Sequence, residues 1–132
     1  MLRPRPLTAT LLSALGAAAS VLTPTVARAA DPLRIVGMNC ASTQAGTNYG
    51  RINCLVFWTG GTDPSTATFQ ASYSGVLRDR LEESESANRK ATFAASCWTP
   101  DDIIVTATVT DSAGVRATWQ VPTRCNTGRA GQ

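Results

Sequence analysis

Along the middle and C-terminal parts of the chain, apolar and polar residues alternate. Ile52, Cys54, Val56 and Trp58 occupy every second position, as do Ala67, Phe69, Ala71 and Tyr73, and then Ala91, Phe93, Ala95 and Cys97. The clearest run sets Ile103, Val105, Ala107 and Val109 against Ile104, Thr106, Thr108 and Thr110. After it, Val115, Ala117, Trp119 and Val121 alternate with Arg116, Thr118 and Gln120. Successive side chains of a strand point to opposite faces, so each run predicts a strand with one buried and one solvated side. Leu33 to Met38 adds a further strand, and the abundance of Val, Ile and Thr suits all of them. Only Val76 to Lys90 breaks the pattern. Its Arg78, Asp79, Arg80, Glu82, Glu83, Glu85, Arg89 and Lys90 read as a solvated face, on either an exposed edge strand with a loop or a turn or two of helix. Short strands between turn signals predict an all-β sandwich of about seven strands.

One hairpin can be registered from the letters. Directly opposed residues share a face, so the two apolar sets must meet. A three-residue loop, Ser112-Ala113-Gly114, pairs Val109 with Ala117, Ala107 with Trp119 and Val105 with Val121. A two-residue loop would set Val109 against Arg116. The longer loop also wants a left-handed residue at its last position, where Gly114 stands. Asp111 at its entry is placed to accept backbone N–H bonds. By the same alternation Trp58 and Trp119 fall on core faces, whereas Trp98 falls in a corner loop between Cys97 and Pro100.

The N-terminus changes the charge argument. Arg3 and Arg5 precede an apolar run from Leu7 to Leu22, then Pro24 and the small-residue site Ala27-Arg28-Ala29. That order is an export signal cut after Ala29, too short and too weakly apolar for a membrane span. Residues 1–29 are thus expected to be a signal peptide and residues 30–132 one secreted, extracellular domain. Losing Arg3, Arg5 and Arg28 leaves nine basic against nine acidic residues, so the formal charge falls from +3 to zero. Bulk charge then gives no support for a nucleic-acid or membrane partner.

All four cysteines, Cys40, Cys54, Cys97 and Cys125, lie after the signal, and an even count in an exported small domain predicts two disulfides. Extending the hairpin register brings Cys125 beside Asp101, one short loop from Cys97. Cys40 and Cys54 flank the loop Ala41 to Asn53 between consecutive strands. These placements favour Cys40–Cys54 and Cys97–Cys125 among the three possible pairings. A metal centre is not expected, since no Cys-x-x-Cys occurs and histidine is absent from the whole chain. The same absence removes the usual general base for a Ser or Cys nucleophile. No paired carboxylates flank an evident cleft, and no cofactor motif is present: Gly60-Gly61 lacks phosphate-loop spacing and Ser74-Gly75 lacks a nucleophile elbow.

Cys54, the turn Gly60-Gly61-Thr62-Asp63-Pro64, Cys97 and the stretch Ile104-Val105-Thr106-Ala107-Thr108-Val109-Thr110-Asp111-Ser112-Ala113-Gly114 together resemble secreted bacterial immunoglobulin-like domains, of actinobacterial type and of the PKD or fibronectin type III kind. The similarity covers most of residues 33–125. It implies an immunoglobulin-like β-sandwich and a non-enzymatic binding or structural module, partnered by an extracellular protein or a cell-wall polysaccharide. Residues 103–110 carry no cysteine, so the antibody-type link from second to penultimate strand is not expected. Candidate contacts are Trp98, then Gly60, Gly61 and Asp63 in the Thr59–Thr66 loop, and Asp111 in the Asp111–Gly114 loop; for the aspartates, turn-forming roles compete. The alternative is an inhibitor of an extracellular protease or amylase. It resembles the small two-disulfide amylase inhibitors in cysteine number, but lacks their Trp-Arg-Tyr triplet.

Overall fold

The computed structural model describes residues 30–72, 77–98 and 100–125, together with Ser20. The expected signal peptide, Tyr73 to Val76, Thr99 and the C-terminal tail from Asn126 lie outside the described residues, apart from Ser20. Seven strands form: β1 Arg34–Gln44, β2 Tyr49–Thr59, β3 Thr66–Ser72, β4 Arg78–Glu85, β5 Lys90–Trp98, β6 Asp102–Thr110 and β7 Arg116–Arg124. They build two antiparallel sheets, ordered β1-β2-β5-β4 and β3-β6-β7. That is the strand order of a constant-type immunoglobulin sandwich.

The alternation read from the sequence becomes the core. Ile52, Val56, Trp58, Ala91, Phe93 and Ala95 from one sheet meet Phe69, Ile103, Val105, Ala107 and Val109 from the other, all buried. Phe69 and Phe93 stack across the gap with ring centroids 5.4 Å apart. The Trp58 indole N–H is satisfied inside the core, donating to Ser65 Oγ at 2.8 Å. The β6–β7 register is the one expected: Val105 opposes Val121, Ala107 opposes Trp119 and Val109 opposes Ala117. Gly114 has φ +83°.

Both favoured disulfides are present. Cys40–Cys54 staples directly opposed residues of β1 and β2. Cys97–Cys125 ties the end of β5 to the residue after β7, and so joins the two sheets. The loop-entropy relation assigns about 3 kcal/mol to the first and about 3.5 kcal/mol to the second, for separations of 14 and 28 residues.

Four expectations need correction. The first two strands extend past Cys40 and begin at Tyr49, so their loop is only residues 45–48, not Ala41 to Asn53. Ladder pairing carries polar Ser42, Thr43, Gln44 and Arg51 into the hairpin, where alternation of apolar residues gave no signal. Trp98 is the last residue of β5, not part of a corner loop. Val115 precedes β7 and is exposed. Trp119 shares the inward face with Ala107, yet remains 41 % exposed, because β7 is the edge strand of the three-stranded sheet. The charged segment resolves as the edge strand β4, exposed along its length, followed by a turn at residues 86–89.

Candidate binding cleft at Tyr49 and Trp98

The first residue pair of the β2–β5 ladder is Tyr49 opposite Trp98. Both face outward, 44 % and 46 % exposed, so two aromatic side chains stand side by side at one pole of the molecule. Beside them β4 carries an extra residue: its register slips between Arg78, opposite Ser96, and Leu81, opposite Ala94. Asp79, within this bulge, has φ +51°, a left-handed conformation uncommon for a residue with a side chain. A bulge re-aims side chains that regular pleating would send elsewhere, and such bulges recur beside functional sites. Here Arg78 and Asp79 line a shallow cleft of about 290 Å³ with Tyr49, Ser96, Cys97 and Trp98. Ser96 Oγ donates to Asp79 Oδ2 at 3.3 Å. The Cys97–Cys125 disulfide anchors the cleft floor to the other sheet. The cleft thus offers flat apolar rings, one cation, one carboxylate and one hydroxyl.

The other residues singled out from the sequence gather at the opposite pole, beyond the C-terminal ends of β2 and β6. Gly60, Gly61, Asp63 and Asp111 sit on different connections, and the fold brings those connections into direct contact. Asp111 Oδ2 accepts from the Thr62 N–H at 3.0 Å, while Oδ1 accepts from Ala113 and Val115 N–H at 3.0 and 2.8 Å. Those backbone donors, Thr62 foremost, lower the Asp111 pKa against the opposing effect of burial. Ser112 Oγ donates to the Thr62 and Asp63 carbonyls. Asp63 takes both its oxygens to the Arg89 guanidinium, which also donates to the Gly60 carbonyl. Gly60, at φ +71°, passes so close to Pro32 that a Cβ would lie 2.0 Å from its carbonyl oxygen. These groups brace two loops against each other.

Two further acids are engaged in ion pairs. Asp102 and Arg124 form a two-pronged ion pair that lowers the Asp102 pKa. Glu85 is held low by the Asn88 amide and then by Lys90. Among the described residues no group of three or more potential ligands is arranged to hold a metal ion. Tyr49, Arg78, Asp79 and Ser96 were not anticipated as site residues. The run of charges at residues 78–90 marked the segment, but not the bulge that turns two of them towards the rings.

By fold and site, the chain is a seven-stranded, doubly disulfide-bonded β-sandwich with an aromatic cleft at one pole. Comparison with protein-family models, with curated proteins and with solved structures returned no match.

Proposed function

We propose that the chain is an exported, non-enzymatic immunoglobulin-like module that binds a cell-wall polysaccharide through the Tyr49–Trp98 cleft. The observation that carries the reading is the pair of adjacent exposed rings beside Arg78, Asp79 and Ser96. A sugar presents an apolar face of C–H groups and a rim of hydroxyls that both donate and accept. Rings suit the face, and a guanidinium, carboxylate and hydroxyl suit the rim. Export is supported by the signal-like N-terminus and by two disulfides, which persist in oxidising compartments. The module type rests on the resemblance of the Cys54 to Gly114 motifs and on the strand order. A non-enzymatic role fits a chain without histidine whose Asp63, Asp102 and Asp111 are committed to structure.

The test is co-sedimentation of the oxidised protein with insoluble cellulose, chitin and purified cell walls. Retention on at least one of them, lost in Trp98→Ala with circular dichroism unchanged, is the expected result. Equal retention of Trp98→Ala would remove the cleft from the reading.

A second reading draws on the opposite pole. Loops 60–65 and 111–115 are cross-braced by Asp111, Ser112 and Arg89, and an inhibitor of an extracellular protease or amylase works by presenting such a preorganised loop. Near-stoichiometric loss of activity of a secreted hydrolase would favour it.

A further inference from the structure

The outer face of the four-stranded sheet continues beyond the cleft, and its composition departs from that of a merely solvated surface. After the Tyr49–Trp98 row comes Arg51 with Ser96, then Asn53 between Ala41 and Ala94, then Leu55 between Asn39 and Thr92, and finally Phe57. Phe57 is 42 % exposed. Eight residues of strand separate it from Tyr49, about 27 Å at the usual rise. Between these ends a second shallow cavity of about 450 Å³ runs over Asn39, Asn53, Leu55 and Thr92, with Leu81 at its side.

Asn39 and Asn53 are the informative pair. Asparagine is disfavoured in strands, yet both lie inside a sheet, on neighbouring strands and in adjacent rows. Both are exposed, and among the described residues neither carboxamide has a hydrogen-bond partner. No turn, cap or ladder explains them. Each carboxamide offers two donors and an acceptor to whatever lies on the sheet.

The distribution of apolar groups points to the kind of occupant. A protein interface collects its aromatic and aliphatic anchors in a dry centre with a polar rim. This face has no such centre: aromatic rings stand at its two ends, and between them Ala41, Ala94, Leu55 and Leu81 are interleaved with Asn39, Asn53, Thr92 and Ser96. Charge is low along its two central strands: of the outward positions on β2 and β5, only Arg51 and Lys90 are charged, and Lys90 is paired with Glu85 at 3.2 Å, while the mixed charges of β4 lie along the edge. An uncharged, hydroxyl-rich, extended chain matches that arrangement.

Resting on the reading above, we infer that the site is a groove as long as the sheet rather than a single-sugar pocket. A neutral, extended polysaccharide lies along β2, stacked at its ends on Tyr49 with Trp98 and on Phe57, and hydrogen-bonded at its centre by Asn39 and Asn53.

Calorimetric titration of the oxidised protein with cello- and chito-oligosaccharides, from disaccharide to hexasaccharide, tests this. Affinity should climb with length in one of the two series. Asn53→Ala and Phe57→Ala should each weaken the hexasaccharide by about tenfold and leave the disaccharide unchanged, whereas Trp98→Ala should weaken both. Asn53→Thr, which removes the amide but favours the strand, should reproduce the hexasaccharide loss and so excludes a folding defect. Equal affinity for the two lengths, or a hexasaccharide indifferent to Asn53→Ala and Asn53→Thr, overturns the groove and leaves the cleft standing. Failure of the unaltered protein to bind any saccharide removes the cleft as a glycan site and the groove with it. Binding of a neutral proline-rich peptide instead of either series, lost in Asn53→Ala, assigns the face to a polypeptide and overturns the inference equally.

Discussion

Asp111 shows how one side chain can hold two loops. Its carboxylate takes backbone N–H groups from Thr62 on one connection and from Ala113 and Val115 on its own. Each bond favours the charged form, so the folded pKa lies below the unfolded value of roughly 3.9. A depressed acid contributes stability that is present above the unfolded pKa and lost as pH falls through the folded one. Thermal midpoints should therefore hold steady down to about pH 4 and then fall. In Asp111→Asn, which cannot offer two acceptor oxygens, the midpoint should be lower at neutral pH and the acid-side fall shallower. A parallel pair of curves would refute this role. The bonds within residues 111–115 were legible in the sequence, because Asp at a turn entry followed by Gly three positions on has a local meaning. The bond to Thr62, 49 residues away, was not. Trp58 and Ser65 make the same point in the core. Ser65→Ala strands a buried indole N–H and should cost about 1–3 kcal/mol in denaturant unfolding.

At the scale of elements, β4 does two things at once. One edge of its backbone pairs with β5, and its side chains reach the open edge of β3 in the other sheet. Ser84 Oγ accepts from the Ala67 N–H at 3.0 Å, Ser86 Oγ accepts from the Ser65 N–H at 2.8 Å, and the Arg80 guanidinium donates to the Phe69 carbonyl at 2.9 Å. Arg80 also lies over the Phe93 ring, 5.3 Å from its centroid. Unpaired strand edges invite pairing with other chains, and here side chains occupy the groups that a foreign strand would need. Ser84→Ala and Ser86→Ala should each cost about 0.5–1.5 kcal/mol. Hydrogen exchange should quicken at the Ala67 and Ser65 amides while those of β6 keep their protection. Uniform change across both sheets would count against the stitching. That a polar, charged segment forms a strand at all could not be read from alternation, because an edge exposed on its whole length has no buried face to impose a period. The bulges at Val36 and Asp79 were hidden for a related reason: each depends on what the partner strand offers, and the partner is distant in sequence.

At the scale of the whole molecule, the inter-sheet disulfide closes the pole that carries the cleft. Cys97→Ser with Cys125→Ser should destabilise more than the paired Cys40→Ser and Cys54→Ser change, by about 0.5 kcal/mol on loop length alone. It should also weaken polysaccharide retention, because Cys97 lines the cleft beside Trp98. Equal unfolding curves for the two double variants, with retention unchanged, would deny it both roles. Taken alone, the order of residues determined what depends on near neighbours: the two-residue period of the strands, the β6–β7 register, the turn chemistry of Asp111 and Gly114, and hence the sandwich and the disulfide pairing that follows from its register. Only the folded sheets decided which inward-facing residues have something above them, which is why Trp58 is buried and Trp119 is not. They alone brought Tyr49 to Trp98, set Arg78 and Asp79 beside the rings, and placed Asn39 and Asn53 in adjacent rows of one face. Burial and encounter across a sheet are properties of chain segments that meet in space, and separation along the chain does not encode them locally.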